Sequence, residues 1–303
     1  MAVLPAHPRV CVLLATHDST GWLREQVDSI VAQQGVDVHI VASDDASRDE
    51  TPALLDAYQR TGAMTRLPAT AAFGSAHLNF VRLILEAPIG DADHVALSDH
   101  DDVWLPGKLA RAVERLAASG AAGYSSNVIA FWPDGRRRLI DKAQPQRRLD
   151  HLFSSPGPGC TFVLPRASFL DLRTWLERRL DTVRRVSVHD WMIYAWARNS
   201  GRRWVIDNQA HMLYRQHARN EIGANAGWRA AWRRIRRVRA GGYRSDVLAI
   251  IEATGGDASV QAALDRLRPS DRLWLIAHAR EMRRTTGQCL ALALLFLLTK
   301  GNP

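Results

Sequence analysis

Through the first 120 positions, short apolar blocks alternate with segments whose apolar residues recur every three to four positions. Residues 9–15 (RVCVLLA) form a nearly continuous apolar run, the pattern of a parallel strand covered on both faces. The run ends at Thr16-His17-Asp18-Ser19. A helix is expected to follow, with Ser19 or Thr20 as its cap and Leu23, Val27, Ile30 and Val31 on one face. Residues 36–43 (VDVHIVAS) predict a second strand leading into Asp44-Asp45-Ala46-Ser47, and residues 51–60 a second helix. Residues 77–86 read as helix. Residues 94–98 (HVALS) read as a third buried strand, ending in Asp99, Asp101 and Asp102. A helix over 105–118 follows, with Pro106 near its first turn, where a missing N–H does no harm.

Past residue 120 the periodicity loosens. Residues 123–132 are strand-like, and 133–158 are polar, rich in Arg and Pro, and expected to be a loop. Strands are expected at 160–164, 204–207 and 211–214, and helices at 168–179 and 189–198. The alternation predicts an α/β fold around a mostly parallel twisted sheet, with acidic residues just past the carboxyl ends of two strands. In open sheets that edge binds ligands. No GxGxxG follows the first strand and no GxxxxGK[ST] occurs, which disfavours a dinucleotide fold and a P-loop nucleotidase.

Composition narrows the class. The 303 residues carry 40 Lys+Arg against 31 Asp+Glu, a net charge of +9, with 47% apolar residues. That is globular composition, and its basicity first suggests a polyanionic partner. The surplus is local: residues 221–303 hold fourteen basic against seven acidic residues, whereas residues 1–220 hold twenty-six against twenty-four. A nucleic-acid binder would spread its basic residues over the folded domain, so no specific nucleic acid is expected. Cys11, Cys160 and Cys289 are far apart with no CxxC, so neither a zinc site nor a disulfide framework is indicated and a reducing compartment fits. The first twenty residues lack the pattern of a signal peptide. The longest apolar run, 289–298, is about half of what a membrane span needs.

The segment Ser98-Asp99-His100-Asp101-Asp102-Val103-Trp104-Leu105-Pro106 places three carboxylates within four residues at a strand end. Like charges at that density repel unless a cation or dipole offsets them, and hard oxygen ligands suit Mg²⁺ or Mn²⁺. A solvated acidic turn capping the next helix is the plainer alternative. Asp44 and Asp45, paired with Thr16, can form a cleft floor that accepts a hydrogen bond from a base ring N–H; alone they would be a turn and helix cap.

VLLATHDSTGWLREQVDSIVAQ, VASDDASRDET and LSDHDDVWLPGKL together resemble the opening of a family 2 glycosyltransferase of the GT-A type. They are especially similar to bacterial rhamnosyltransferase-like members, whose pattern reads roughly ATYNG…LREQLDSI…SDDGSTDGT…SDQDDVWLP. Phe73-Gly74, Asn79-Phe80, Gly157-Pro158-Gly159-Cys160-Thr161, Val188-His189-Asp190-Trp191 and Tyr214-Arg215-Gln216-His217 continue the resemblance in order over about residues 8–222. His17-Asp18 stands where the family has Tyr-Asn, and His100 where it has Gln.

The resemblance implies a GT-A nucleotide-diphospho-sugar transferase domain over 1–220; the residues after it read as a helical, basic C-terminal region, 221–303. It implies an inverting, metal-dependent transfer of a sugar, rhamnose by similarity, from dTDP-rhamnose or a UDP-sugar to a cell-envelope glycan or lipid-linked acceptor. Asp101 would be the main ligand of Mg²⁺ or Mn²⁺, with Asp99 on ribose or metal-bound water, Asp102 fixing the loop, and His217 a further metal or pyrophosphate contact. Asp45, supported by Asp44, Thr16 and His17, would hold the base. Asp190 would deprotonate the acceptor hydroxyl, although a helix start is also a usual place for a capping Asp. Asn79, Gly159, His189 and Arg215 would support the site. Trp104 and Trp191 could stack on sugar faces or belong to the core. Lys108 could meet phosphate or be an exposed helix lysine. A nucleotidyltransferase using the same paired-Asp metal site, and a nucleic-acid or anionic-surface binding protein, are the competing classes.

In the tail, Trp228, Trp232, Ile235 and Val238 at helical spacing are flanked by arginines. That is the pattern of an interfacial helix on anionic lipid at the inner face of a bacterial plasma membrane, or of a helix packed on the domain. The run 289–298 is apolar all round: core, dimer face or shallow anchor.

Overall fold

The computed structural model describes residues 7–217 and 242–299. The strands are β1 (Arg9–Thr16), β2 (Asp37–Asp44), β3 (Met64–Arg66), β4 (His94–Ser98), β5 (Val103–Trp104), β6 (Gly123–Phe131), β7 (Arg137–Ile140), β8 (Val163–Pro165) and β9 (Trp204–Arg215). The helices longer than two turns are α1 (Leu23–Val31), α2 (Thr51–Arg60), α3 (Ala76–Glu86), α4 (Lys108–Ser119), α5 (Arg166–Arg178), α6 (His189–Asn199), α7 (Gly242–Thr254), α8 (Ala258–Arg266), α9 (Pro269–Ala277) and α10 (Thr286–Leu298).

The described chain forms two compact units. One comprises residues up to 143 with 157–178 and 202–217; the other comprises 144–156, 179–201 and 242–299. Two segments upstream of residue 220 therefore cluster with the C-terminal helices. The region 228–239, expected to be an amphipathic helix, lies outside the described residues.

The first unit is a curled mixed sheet in the order β3-β2-β1-β4-β8-β6-β9-β5, with β7 paired to β6. Its parallel part is β3-β2-β1-β4 together with the β6–β9 pair; β8, β5 and β7 all pair antiparallel. A mostly parallel sheet was expected; the antiparallel pairs enter because the short strand β8 fills the gap between β4 and β6 while β5 and β7 add at β9 and β6. Seven of the eight positions of β1 are buried, as its apolar run requires of a central strand. Val12, Leu14, Ile40 and Ala96 pack with Leu23, Val27 and Ile30 of α1 and with Leu109 and Leu116 of α4. Each of the Val, Leu and Ile side chains among them contributes roughly 1.5–3 kcal/mol by leaving water.

Register matters more for the site than the layer count. Thr16 is opposite Asp44, and Leu14 is opposite Ser98, so the carboxyl ends of β1, β2 and β4 terminate side by side. Strand β5, which the sequence pattern missed, pairs antiparallel with β9 through Val103↔Leu213 and Trp104↔Met212. That pairing delivers Arg215, Gln216 and His217 to the acidic turn after β4. The two short strands expected at 204–214 are one strand, bent by a bulge opposite Ser126 and Asn127. Gly123 faces Trp204 so closely that an added Cβ would lie 2.2 Å from the indole, which is why this strand begins with glycine.

Helix α1 begins at Leu23 with Trp22 at its N-cap and no side-chain cap, so neither Ser19 nor Thr20 caps it. The Ser19 and Thr20 N–H groups instead donate to Thr51 Oγ1 and Asp49 Oδ2. Val31 is half exposed, and Gln26 takes a place on the buried face. Helix α4 starts at Lys108, three residues later than expected, because Val103 and Trp104 are drawn into the sheet. The expected loop over 133–158 contains β7 and a buried helical turn, Asp150–Phe153. The strand expected at 160–164 is a 3₁₀ turn, Gly159–Thr161, followed by β8.

In the second unit α7 packs on α6 and on the turn at Asp150–Phe153, and α10 packs on α9. Asp150 is fully buried there, hydrogen-bonded by Arg198 (3.1 Å) and Tyr194 (3.1 Å), with Arg284 at 3.6 Å. No helix among the described residues is long and apolar enough to cross a membrane.

Candidate functional site

Where β1 and β2 end, two tight loops are tied to each other by side chains. Thr16 Oγ1 donates to Asp44 Oδ1 (2.9 Å), and the same carboxylate accepts from the Ser47 hydroxyl (2.6 Å) and Ser47 N–H (3.1 Å). Asp45, 3% exposed, accepts from the N–H groups of Phe73 and Ser75, which fastens the 73–75 loop to the strand end. His17 Nδ1 bonds the Asp45 carbonyl (2.8 Å), and its ring is half exposed at the cleft. Asn79, from α3, donates to the carbonyls of Thr16 (3.3 Å) and Ser43 (3.0 Å), clamping both strands from behind. The loops bend through left-handed backbone at Asp18 (φ 43°) and Ala46 (φ 51°).

Past β4, Ser98 is held by the buried Gln26 amide (2.8 Å). Asp99 is half-buried, while Asp101 and Asp102 are buried. Asp101 Oδ2 meets His217 Nε2 at 2.7 Å, and the His217 ring stacks on Trp22 at 4.1 Å between centroids. Arg215 donates its N–H to Asp102 Oδ1 (3.0 Å) and its Nε to the Asp101 carbonyl (2.7 Å), and it pairs with Glu25. A guanidinium and a backbone amide from β9 thereby hold the acidic turn in shape.

One donor atom each from Asp99, Asp102 and Cys160 fall within 4.8 Å of one another. Asp102 Oδ2 is buried with no amide, hydroxyl or cationic donor on it, and the Cys160 thiol lies against the carboxylate. Burial pushes the Asp102 carboxyl well up, and the nearby Asp101 and Asp99 charges push it further. A divalent cation relieves that repulsion, so carboxylates packed this way fit Mg²⁺ or Mn²⁺. The Cys160 thiol does not: it is fully buried, burial and the adjacent carboxylates hold it protonated, and sulfur suits softer metals.

The structure thus brings together Asp99, Asp101, Asp102, Arg215 and His217 on one side, and Thr16, His17, Asp44, Asp45 and Asn79 on the other. The half-buried His100, whose pKa desolvation lowers, lies between the two, with its Nδ1 3.3 Å from the Ala15 carbonyl. Lys108 is neither an exposed helix lysine nor directed at solvent. It is 2% exposed, its ammonium lies 3.3 Å from the Trp104 ring centroid, and burial pushes its pKa down to about 7. Trp104, 2% exposed with that face covered, is core and not a sugar platform. Sequence reasoning missed Trp22 and Glu25, which touch the site only because α1 starts beneath it, and Gln26, which a helical wheel marks only as a polar break in an apolar face. It gave Cys160 no role.

In the second unit, Asp190 stands in the first turn of α6, whose N-cap is Val188 with no side-chain cap. A carboxylate there is favoured by the helix dipole. His189 is buried. Trp191 is also interior: its indole N–H donates to the His151 carbonyl (2.8 Å) and its ring stacks on Tyr243.

Comparison with known proteins agrees with this geometry. Residues 11–164 match the family described as glycosyl transferase family 2. The chain is 34% identical over 286 residues to the dTDP-rhamnosyl transferase RfbG of Shigella flexneri, covering 94% of this chain and 99% of that one. It is 30% identical over 145 residues to the succinoglycan biosynthesis protein ExoO of Rhizobium meliloti, covering 46% and 39%. Among solved structures, S. aureus TarS in complex with UDP-GlcNAc superposes with a TM-score of 0.57 at 12% identity, over 95% of this chain and 80% of that one. The mannosyltransferase PcManGT from Pyrobaculum calidifontis, in complex with GDP-Man and Mn²⁺, gives 0.52 at 18%, over 97% and 88%. These two likenesses bear on the fold. With the ordered strand-end carboxylates and near full-length similarity to a rhamnosyl transferase, the chain belongs to glycosyl transferase family 2 and is a glycosyltransferase of the GT-A fold.

Proposed function

We propose that this glycosyltransferase moves L-rhamnose from dTDP-L-rhamnose, with inversion, onto a cell-envelope glycan or lipid-linked acceptor at the inner face of a bacterial plasma membrane. The acidic turn after β4, with the buried Asp101 and Asp102 beside Asp99 and His217 Nε2 2.7 Å from Asp101 Oδ2, is the observation that carries the reading. Near full-length similarity to a dTDP-rhamnosyl transferase supports the donor.

Asp99 and Asp101, with His217, would hold Mg²⁺ or Mn²⁺, and Asp102 would keep the turn in shape through Arg215. Such a cation offsets the charge that develops on a departing diphosphate. Asp45, Asp44, Thr16 and His17 would receive the base: each Asp45 oxygen is engaged by one backbone donor and retains a lone pair for a ring N–H, while Asp44, held by Thr16 and Ser47, would keep the strand end in shape. Lys108 supports the turn from within the core and does not meet the donor. Asp190 would accept the acceptor hydroxyl's proton as the new bond forms to the anomeric carbon. The arginine-rich 228–239 segment would favour a peripheral place on anionic lipid.

Thermal shift with dTDP-L-rhamnose, with and without Mn²⁺ or Mg²⁺, tests this. Donor and metal together should stabilise the wild-type chain, and the gain should vanish in Asp101→Asn. Full rhamnosyl transfer by a folded Asp101→Asn protein, or equal donor binding in EDTA, would remove the metal-assisted reading.

A further inference from the structure

Helix α10 has two unlike faces. Its thirteen residues include no charge, and Leu292 and Phe296 are buried at 3% exposure each. Leu290, Leu294 and Leu297 are 67%, 55% and 61% exposed. Their spacing of four and then three residues puts them one above another on the outer face. Val31, Leu139, Leu170 and Leu273, also exposed, each sit singly on another element and call for no partner of their own. A row of three leucines on an uncharged helix is different.

Charge decides what covers it. Residues 221–303 carry twice as many basic as acidic residues, with six arginines between 229 and 239. Two copies that each carry a net charge of +9 repel on approach, which opposes a second copy on this face. An anionic bilayer offers both complements, acyl chains for leucine and headgroup charge for arginine. At ~1.5 Å per residue, α10 is far shorter than a hydrocarbon core of about 30 Å, so it can lie in the interface but not span it.

We propose that the Leu290, Leu294 and Leu297 face of α10 rests in the headgroup–acyl boundary of an anionic bilayer. This rests on the reading that the enzyme works at a membrane surface, and it names the surface that does so. Hydropathy alone hides it, because the run is apolar on every side and only burial separates the inner row from the outer.

The test is co-sedimentation of the full chain with vesicles of phosphatidylcholine, pure or with about one third phosphatidylglycerol. The wild type should sediment with the anionic vesicles, and Leu290→Gln/Leu294→Gln/Leu297→Gln should bind about tenfold more weakly or worse. A second variant keeps the leucines on either side: Cys289→Ser/Leu294→Cys labelled with an environment-sensitive dye, whose emission should shift blue on those vesicles. Binding unchanged by the triple substitution, with no shift of the label, would overturn the α10 assignment while leaving membrane association intact. No vesicle binding by the wild type would overturn both. A wild-type dimer that the triple substitution dissolves, seen by sedimentation velocity, would assign the face to a second copy. Donor binding, read by thermal shift, should be equal in wild type and triple variant, which separates this outcome from a failure of the sugar-transfer reading.

Discussion

Ala46 holds a left-handed backbone, φ 51°, in the loop after β2, where the family pattern SDDGSTDGT has glycine. That conformation costs an L-residue roughly 1–2 kcal/mol. It persists because Asp44 and Ser47 on either side are locked by hydrogen bonds and Asp45 is fastened to the 73–75 loop. Asp18, φ 43°, has the same problem with a milder remedy, since a short polar side chain tolerates the region. Glycine at 46 would remove the strain but add about 0.5–1 kcal/mol of unfolded-state freedom. Ala46→Gly should therefore stabilise the chain by about 0.5–1 kcal/mol, read as a raised urea midpoint at unchanged slope. A lower midpoint would mean that the methyl group packs favourably enough to outweigh the strain.

At the scale of elements, the central strands and helices were legible because their signal is local. The runs at 9–15, 51–60 and 94–98 fall within a residue of β1, α2 and β4. What was illegible depends on partners far along the chain. Two residues, Val103 and Trp104, become a strand only because β9 pairs with them, and α4 is shortened as a result. The segment 144–156 reads as polar loop, yet Leu149, Leu152 and Phe153 are buried among helices that the sequence supplies a hundred residues later. His151 in that segment is a measurable consequence. Its Nε2 bonds Asn199 Oδ1 (2.7 Å), while burial, with Arg198 and Arg148 nearby, lowers its pKa from 6.5 to about 4. Above pH 6.5 the ring is neutral in both folded and unfolded chains and costs nothing. Between 6.5 and 4 the unfolded chain binds the extra proton, so stability falls as pH falls. The wild type should lose about 3 kcal/mol more than His151→Gln between pH 7 and pH 4, measured by urea unfolding at each pH. Parallel pH profiles for the two would place the titration elsewhere.

Across the whole molecule, charge and proposed chemistry are distributed unevenly. The chain to residue 220 is nearly neutral, and its acids gather at the strand ends, while the basic surplus follows. The sequence alone placed the acidic turn at the end of β4 and Asp190 at a helix start, because both lie in contiguous motifs. It could not show that Asp99 and Asp101 belong to the sheet-bearing unit and Asp190 to the helical one. The proposed roles are separable for that reason. A base acts only on the acceptor's proton, so Asp190→Asn should leave metal-dependent dTDP-L-rhamnose binding within about twofold while transfer falls by about 10²–10⁴. Asp101→Asn should lose donor binding and transfer together. The informative pair of measurements is donor titration by calorimetry beside a single-turnover transfer assay. If Asp190→Asn weakens donor binding as much as Asp101→Asn does, Asp190 holds the nucleotide-sugar or its unit's fold, and the base must be sought among other carboxylates. If it binds donor normally and transfers at the wild-type rate, proton removal from the acceptor does not depend on this residue. Only intact binding with slowed chemistry fits a proton acceptor at the start of α6.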